Sequence, residues 1–173
     1  ALIDFGHVVS VAIVIRSALF WVATEGWHGI PIVIAAFAIG SIAMLLISQY
    51  RVLLFKRTNR SGDCLQQAVI DGNLAVGIRY AGFLVGSALA LTAASGIAPY
   101  AADNIVASLG YWALSAAVSL VAFILLHLVT IKIILSGCDI SDEVNRQKNV
   151  GVAAISAAIS FAIGSTMATL LGA

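Results

Sequence analysis

Long apolar runs broken by two clusters of charge set the pattern of the chain. Four stretches hold no Asp, Glu, Lys, Arg or His: Gly29 to Tyr50, Tyr80 to Ala102, Asn104 to Leu126 and Asn149 to Ala173. A membrane-crossing helix needs about 20 predominantly apolar residues, and each stretch satisfies that length. A fifth, Val8 to Thr24, is apolar but interrupted by Arg16. The pattern predicts five transmembrane helices. Pro31 falls in the first turn of the second, where a missing N–H costs nothing. Pro99 falls in the short loop before the fourth, with Asp103 as the expected N-cap. Ser141, followed by Asp142 and Glu143, marks the start of a short helix in the last polar loop.

The basic residues set the expected orientation. Arg51, Lys56, Arg57, Arg60 and Arg79 lie in or beside the loop between the second and third apolar stretches; Lys132, Arg146 and Lys148 flank the loop between the fourth and fifth. The other two connections hold no Lys or Arg. This asymmetry predicts a cytoplasmic N-terminus, two cytoplasmic polar loops and a C-terminus on the opposite side. Trp21, Trp27, Tyr100 and Tyr111 then form an outer aromatic belt.

Composition strengthens the class. Of the 173 residues 61% are hydrophobic and 10% charged, against about 45–50% and about 25% in soluble domains. A water-facing globular enzyme, a disordered chain and a nucleic-acid binder are all excluded on that ground. The net charge of +1 argues against a polyanionic partner. Cys64 and Cys138 stand alone, without the clustering a zinc site needs, and are read as free thiols. The chain begins at Ala1 without Met, consistent with trimming or an upstream start. No basic region precedes the first apolar stretch, so it is not read as a signal peptide.

The chain also repeats itself. Asp71-Gly72-Asn73-Leu74-Ala75-Val76-Gly77-Ile78 opens the third helix and Gln147-Lys148-Asn149-Val150-Gly151-Val152-Ala153-Ala154 the fifth; Asn73 and Asn149 are 76 residues apart, as are Lys56 and Lys132. Two helices per unit restore the starting side, so the units are parallel repeats. The expected fold is therefore an all-α polytopic membrane bundle of five helices that includes two parallel two-helix repeats. Its divisions are an N-terminal helix over 1–29, a first repeat over 30–103 and a second over 104–173.

Gly72-Asn73-Leu74-Ala75 followed by Gly82 and Gly86, with a second copy Lys148-Asn149-Val150-Gly151 followed by Gly164, resembles the domain of unknown function 350 family, the YjfL-like bacterial inner-membrane proteins. The likeness covers roughly Ile30 to Ala173. The second copy departs from the pattern with Lys for Gly and Gly for Ala, and the first helix lies outside the family's four-helix pair; it is read as the remnant of a preceding repeat. The resemblance implies an inner-membrane location and brings no established activity.

Small residues at every fourth position let helix backbones approach closely in lipid. The third helix carries Gly82, Gly86, Ala90 and Ala94; the fifth carries Ser156, Ser160, Gly164, Ala168 and Gly172, with a second small ridge at Ala154, Ala158 and Ala162. The ridges seat helices within one subunit, or against another copy.

Polar groups at membrane depth are costly, about 2.5–3.5 kcal/mol for an ionised one on insertion scales, and become the candidate functional residues. Arg16, near the middle of the first predicted helix, reads as a structural pair or as facing a water-filled path or anionic headgroup; it is unremarkable if that helix lies in the interface. Arg79 snorkels or meets a lipid headgroup. His127 is either hydrogen-bonded structure or a titrating group, and Lys132 snorkels. Asn73 and Asn149 cap helices or bond backbone groups, or else line a pore mouth. Arg51, Lys56, Arg57, Arg60 and Lys132 are expected to form a basic cytoplasmic face able to bind anionic lipid.

Motifs for catalysis, phosphate loops and dinucleotide binding are absent from the sequence, and the confident spans hold no Asp or Glu for cation coupling. No enzyme activity, cofactor or metal site is expected; His127 alone within a span does not make a heme site. The expected function is an oligomeric inner-membrane assembly or passive conduit, a channel or transporter in the broad sense. The alternative is a non-catalytic subunit anchoring a larger membrane complex.

Overall fold

A computed structural model describes residues 2–58, 64–98 and 104–171, without the side chains of residues 23–25 and 28. Among these residues there are helices and turns but no strand. Lipid explains the restriction: it offers backbone groups no hydrogen bonds, so each segment must satisfy its own N–H and C=O groups.

In chain order the helices are α1 (Leu2–Ala18), α2 (Phe20–Glu25), a 3₁₀ turn at Gly26–Gly29, α3 (Ile30–Thr58), α4 (Leu65–Ile70), α5 (Leu74–Thr92), α6 (Ala94–Ile97), α7 (Ile105–Ile134), α8 (Ile140–Asn145) and α9 (Val150–Leu171). Breaks at Leu19 and Ala93 are slight, so α1 runs into α2 and α5 into α6. Five helical spans are long and apolar enough to cross a membrane: Leu2–Val22, Ile30–Thr58, Leu74–Ile97, Ile105–Ile134 and Val150–Leu171. The five-helix membrane bundle expected from the apolar runs is the fold observed.

Several boundaries move. The first span begins at Leu2, not Val8, because Asp4 in the first turn suits a helix N-terminus and the His7 ring packs 5.9 Å from that of Tyr80. Arg16 is consequently four residues past the middle of the span. It lies in the last turn of α1, six residues before the end of the span at Val22, about 9 Å at 1.5 Å per residue. α3 and α7 run to 29 and 30 residues, roughly 45 Å at that rise and about 15 Å more than the hydrocarbon core. Their basic ends thus project beyond the apolar layer. The cap of α7 is Asn104, whose side chain accepts from the Ala107 N–H at 3.0 Å; Asp103, Pro99, Tyr100, Arg60 and Gly172 lie outside the described residues. α8 begins at Ile140, capped by Asp139, which accepts from Ser141 and Asp142. Trp27 and Tyr111 are exposed as a belt requires, but Trp21 is buried in the bundle.

α5 is the central helix: 67% of its most apolar window is buried, against 28–33% for the other spans. Glycine makes this possible. A methyl carbon built on Gly82 would collide with Ala157, one on Gly86 with the Ser160 carbonyl, and one on Gly164 with the Gly86 carbonyl. On the other flank, a Cβ on Gly6 would lie 2.8 Å from the Cα of Ala81. α1, α5 and α9 therefore form a close-packed layer of three helices running in the same direction. α3 and α7 complete the bundle. Gly40 of α3 receives Val14, with Trp112 of α7 behind it.

The layer has a regular register. Gly6 meets Ala81 and Gly82 meets Ala157, so each contact joins residues 75 apart. α1 sits on α5 as α5 sits on α9.

Candidate functional site

The loop end of the bundle is organised by the two asparagines. Asn73 is buried. Its side-chain oxygen accepts from the Val76 N–H at 3.2 Å, and its amide donates to the carbonyls of Val144 and Asn145, both at 3.1 Å. One residue caps α5 and fastens α8 across it. Asn149 accepts from the Val152 N–H at 3.2 Å and donates to the Glu143 carboxylate at 2.8 Å. The residue before each asparagine has a positive φ, 74° at Gly72 and 55° at Lys148. Glycine adopts this conformation freely and lysine does so under strain. The Lys148 ammonium donates to the Asp71 carbonyl at 3.4 Å, which ties the two turns together.

Beneath α8 lies a cavity of about 180 Å³. α3 supplies Arg51, α5 supplies Arg79 and Phe83, α7 supplies His127, and α8 supplies Ser141 and Asn145. The Arg51 guanidinium carbon stands 4.4 Å from the Phe83 ring centroid. His127 is buried, with Nδ1 3.1 Å from the Ser160 hydroxyl. Ser160 donates its proton to the Ser156 carbonyl at 3.0 Å, so His127 donates from Nδ1. Phe83 meets the histidine edge to face at 5.0 Å, and Phe123 stacks on it at 6.0 Å.

Three donors in this cavity lack acceptors. Nε of Arg51, Nε of Arg79 and Nδ2 of Asn145 are each buried without a hydrogen-bond partner. The lining contains no Asp or Glu. The nearby carboxylates are engaged elsewhere, Asp142 with Arg146 at 2.6 Å and Glu143 with Asn149. A buried orphan donor costs about 1–3 kcal/mol, and an unpaired buried charge more. Stacking on an aromatic face returns about 2 kcal/mol when desolvated, and it serves Arg51 only. The cavity as formed thus gathers two half-buried guanidinium groups with no carboxylate on its lining.

The remaining sequence-predicted residues separate into groups. Lys56 and Arg57 in the last turn of α3 and Lys132 in the last turn of α7 are exposed. Arg51 does not join that basic face: it lies about 8 Å deeper along the helix than Lys56, where its guanidinium turns onto Phe83 and into the cavity. Arg79 lines the same cavity. Gly82, Gly86, Ser160 and Gly164 all fall in the α5–α9 contact. Arg16 is at the opposite end, beside Ser17, Thr92, Ser95, Ser165 and Thr169. There Ser95 links Ser17 at 3.1 Å and the Trp112 indole at 3.2 Å. Cys64 and Cys138 are exposed and free. Among the described residues no group of His, Cys, Asp and Glu is placed to hold a metal ion.

Sequence reasoning missed the partnership of Arg51 with Arg79, missed Phe83 and Asn145 altogether, and read Ser141 only as a helix start. One signal for Arg51 was available. It stands five residues inside Lys56, over one turn deeper than the basic end of the helix.

The fold and the asparagine turns define a polytopic helical membrane protein. More narrowly, the chain belongs to the family described as Domain of Unknown Function (DUF350), whose model matches residues 26–171; α1 lies outside the match. No curated protein and no solved structure matches the chain.

Proposed function

We propose that the chain is an integral inner-membrane protein that assembles with copies of itself by continuing the α1–α5–α9 layer from one chain to the next. The observation that carries this reading is the shared register of the two helix contacts, Gly6 on Ala81 and Gly82 on Ala157. Advancing Gly82 and Gly86 by 76 residues gives Ala158 and Ala162 on α9. Moving Ala81 back by 76 gives Phe5 on α1. All three are exposed, so the layer ends in a small-residue face on one side and a bulkier apolar face on the other. The 76-residue spacing of the asparagine turns supports a chain built from duplicated two-helix units, with α1 the remnant of another. Unlike faces pair head to tail, producing a ring where the rotation closes and a filament where it does not.

The concentration of Lys and Arg at the loop end supports a cytoplasmic basic face, with the N-terminus on that side and the C-terminus opposite. A passive conduit in this assembly runs between copies. Within one subunit Phe83, Leu84, Leu91, Trp112 and Phe123 are all essentially buried and pack into one apolar core between the two polar ends.

The test is a cross-link in membranes. With Cys64 and Cys138 replaced by serine, a Phe5→Cys, Ala158→Cys chain joins into a ladder of oligomers under a short bismaleimide. Either cysteine alone gives no product beyond a dimer. A monomer by native mass spectrometry, with no ladder, overturns the assembly. Stable recovery with a different chain in place of self-association selects the anchor-subunit reading. Solute flux no greater than that of empty liposomes removes the conduit and leaves the assembly standing.

A further inference from the structure

The cavity under α8 has a chemistry that neither the helix layer nor the exposed basic face accounts for. Arg51 and Arg79 reach it from different helices, and each buries an Nε donor without a partner. Asn145 adds a third unmatched donor, and Ser141 brings a hydroxyl to the lining. A guanidinium offers a planar array of N–H donors that fits the oxygens of phosphate or carboxylate. Two guanidinia around one carboxylate-free space call for an acceptor carrying more than one oxygen and negative charge. Water supplies acceptors but no charge. About 180 Å³ accommodates a tetrahedral oxyanion with some of its water.

We propose that this cavity binds an oxyanion, a phosphate group either free in solution or carried on a lipid headgroup, between Arg51, Arg79 and Asn145. Its position fits both sources. Thr58, Ser141 and Asn145 line it from the loop end, while Leu54, Ile124 and Leu128 line it from the apolar length of α3 and α7. Arg51 is about 10 Å from the end of α3 and Arg79 about 8 Å from the start of α5 at 1.5 Å per residue, so both donors sit near the loop end of the bundle, within reach of a headgroup. The Asn73 clamp on Val144 and Asn145 holds α8 over the site, which makes Asn73 a positioning residue for it. The site is complete within one chain and does not depend on the assembly proposed above.

The experiment uses the full chain, stripped of lipid in a neutral detergent. One arm titrates inorganic phosphate by calorimetry and follows the melting temperature. The other measures retention of phosphatidylglycerol from mixed phosphatidylcholine and phosphatidylglycerol micelles by native mass spectrometry. Saturable binding is expected in at least one arm. Arg51→Gln and Arg79→Gln should each weaken it roughly ten- to hundred-fold, the range for losing one charged hydrogen-bond partner, and the double variant should abolish it. Lys56→Gln with Arg57→Gln should leave it unchanged. Bound ligand raises the melting temperature of the wild-type chain by mass action and leaves that of the double variant unmoved, which a merely structural pair of arginines does not predict. Phosphate binding identifies a free anion; lipid retention without it identifies a headgroup. Neither probe bound by the wild type, or equal binding by the double variant, overturns the site. Phenylglyoxal labelling of the wild-type chain tests it without any variant. Ligand should slow labelling of Arg51 and Arg79 relative to Arg57, and unchanged rates with both probes overturn the proposal.

Discussion

Gly164→Ala is the sharpest test of the helix layer. The new methyl carbon points at the backbone carbonyl of Gly86, well inside the ordinary contact limit of 3.4 Å. Neither partner is a flexible side-chain end, so no rotamer change relieves the clash. α5 and α9 must separate by about 1 Å, and a gap of that size forfeits a quarter to a half of each contact's attraction. Overpacking of this kind costs about 1–3 kcal/mol. Opposing it is the gain from glycine to alanine within a helix, about 1 kcal/mol in water. A net loss of up to about 2 kcal/mol relative to wild type follows from those two magnitudes. Gly110→Ala in α7 is the matched control, because a Cβ there meets nothing within 4 Å. It makes the same chemical change without the collision and should be neutral or stabilising. Both variants are compared with wild type by reversible unfolding in mixed micelles of a mild detergent and dodecyl sulfate. If Gly164→Ala is as stable as Gly110→Ala, the close approach of α5 and α9 is refuted.

Four other substitutions probe the loop end and the histidine beneath it by the same unfolding assay. Asn73→Ala removes a helix cap and two hydrogen bonds to α8, and should cost about 2–4 kcal/mol; a loss below about 1 kcal/mol would show that α8 is not held by this residue. Lys148→Gly relieves a left-handed lysine and should be neutral or stabilise by up to about 1 kcal/mol, whereas Gly72→Lys should destabilise by a similar amount. Identical effects at the two positions would contradict their backbone geometry. Ser160→Ala strips His127 of its Nδ1 partner and should cost about 1–3 kcal/mol; the ring would also lose its fixed orientation, seen as averaging of its NMR signals.

The class of protein, the number of spans, the two asparagine turns and the glycines of the α5–α9 contact were legible from the sequence, but Gly6 against Ala81 was not. The exclusion of charge from lipid and the need of close-packed backbones for small residues both act locally, and both leave a spacing that can be read along the chain. The start of α1 was legible only in part, because Asp4 and His7 look like a polar boundary until His7 is seen against Tyr80. Lys148 looked like a departure from the motif, but its backbone takes the same left-handed turn as Gly72.

What the tertiary structure decided lies between elements. No spacing says that Arg51, reached from α3, shares a cavity with Arg79 of α5 and Asn145 of α8. That meeting depends on how the helices are rotated against one another and on the clamp from Asn73 across 71 residues to Val144. Nor does spacing reveal that α1 repeats on α5 the register of α5 on α9, because register is a property of a contact and not of one helix. The sequence by itself determined a five-helix membrane bundle with charge at its loop end, since hydrophobicity acts residue by residue. Only the packed structure decided which charged groups stay in water and which turn inward and bury an Nε donor without a partner, because burial depends on what the rest of the chain places around each one.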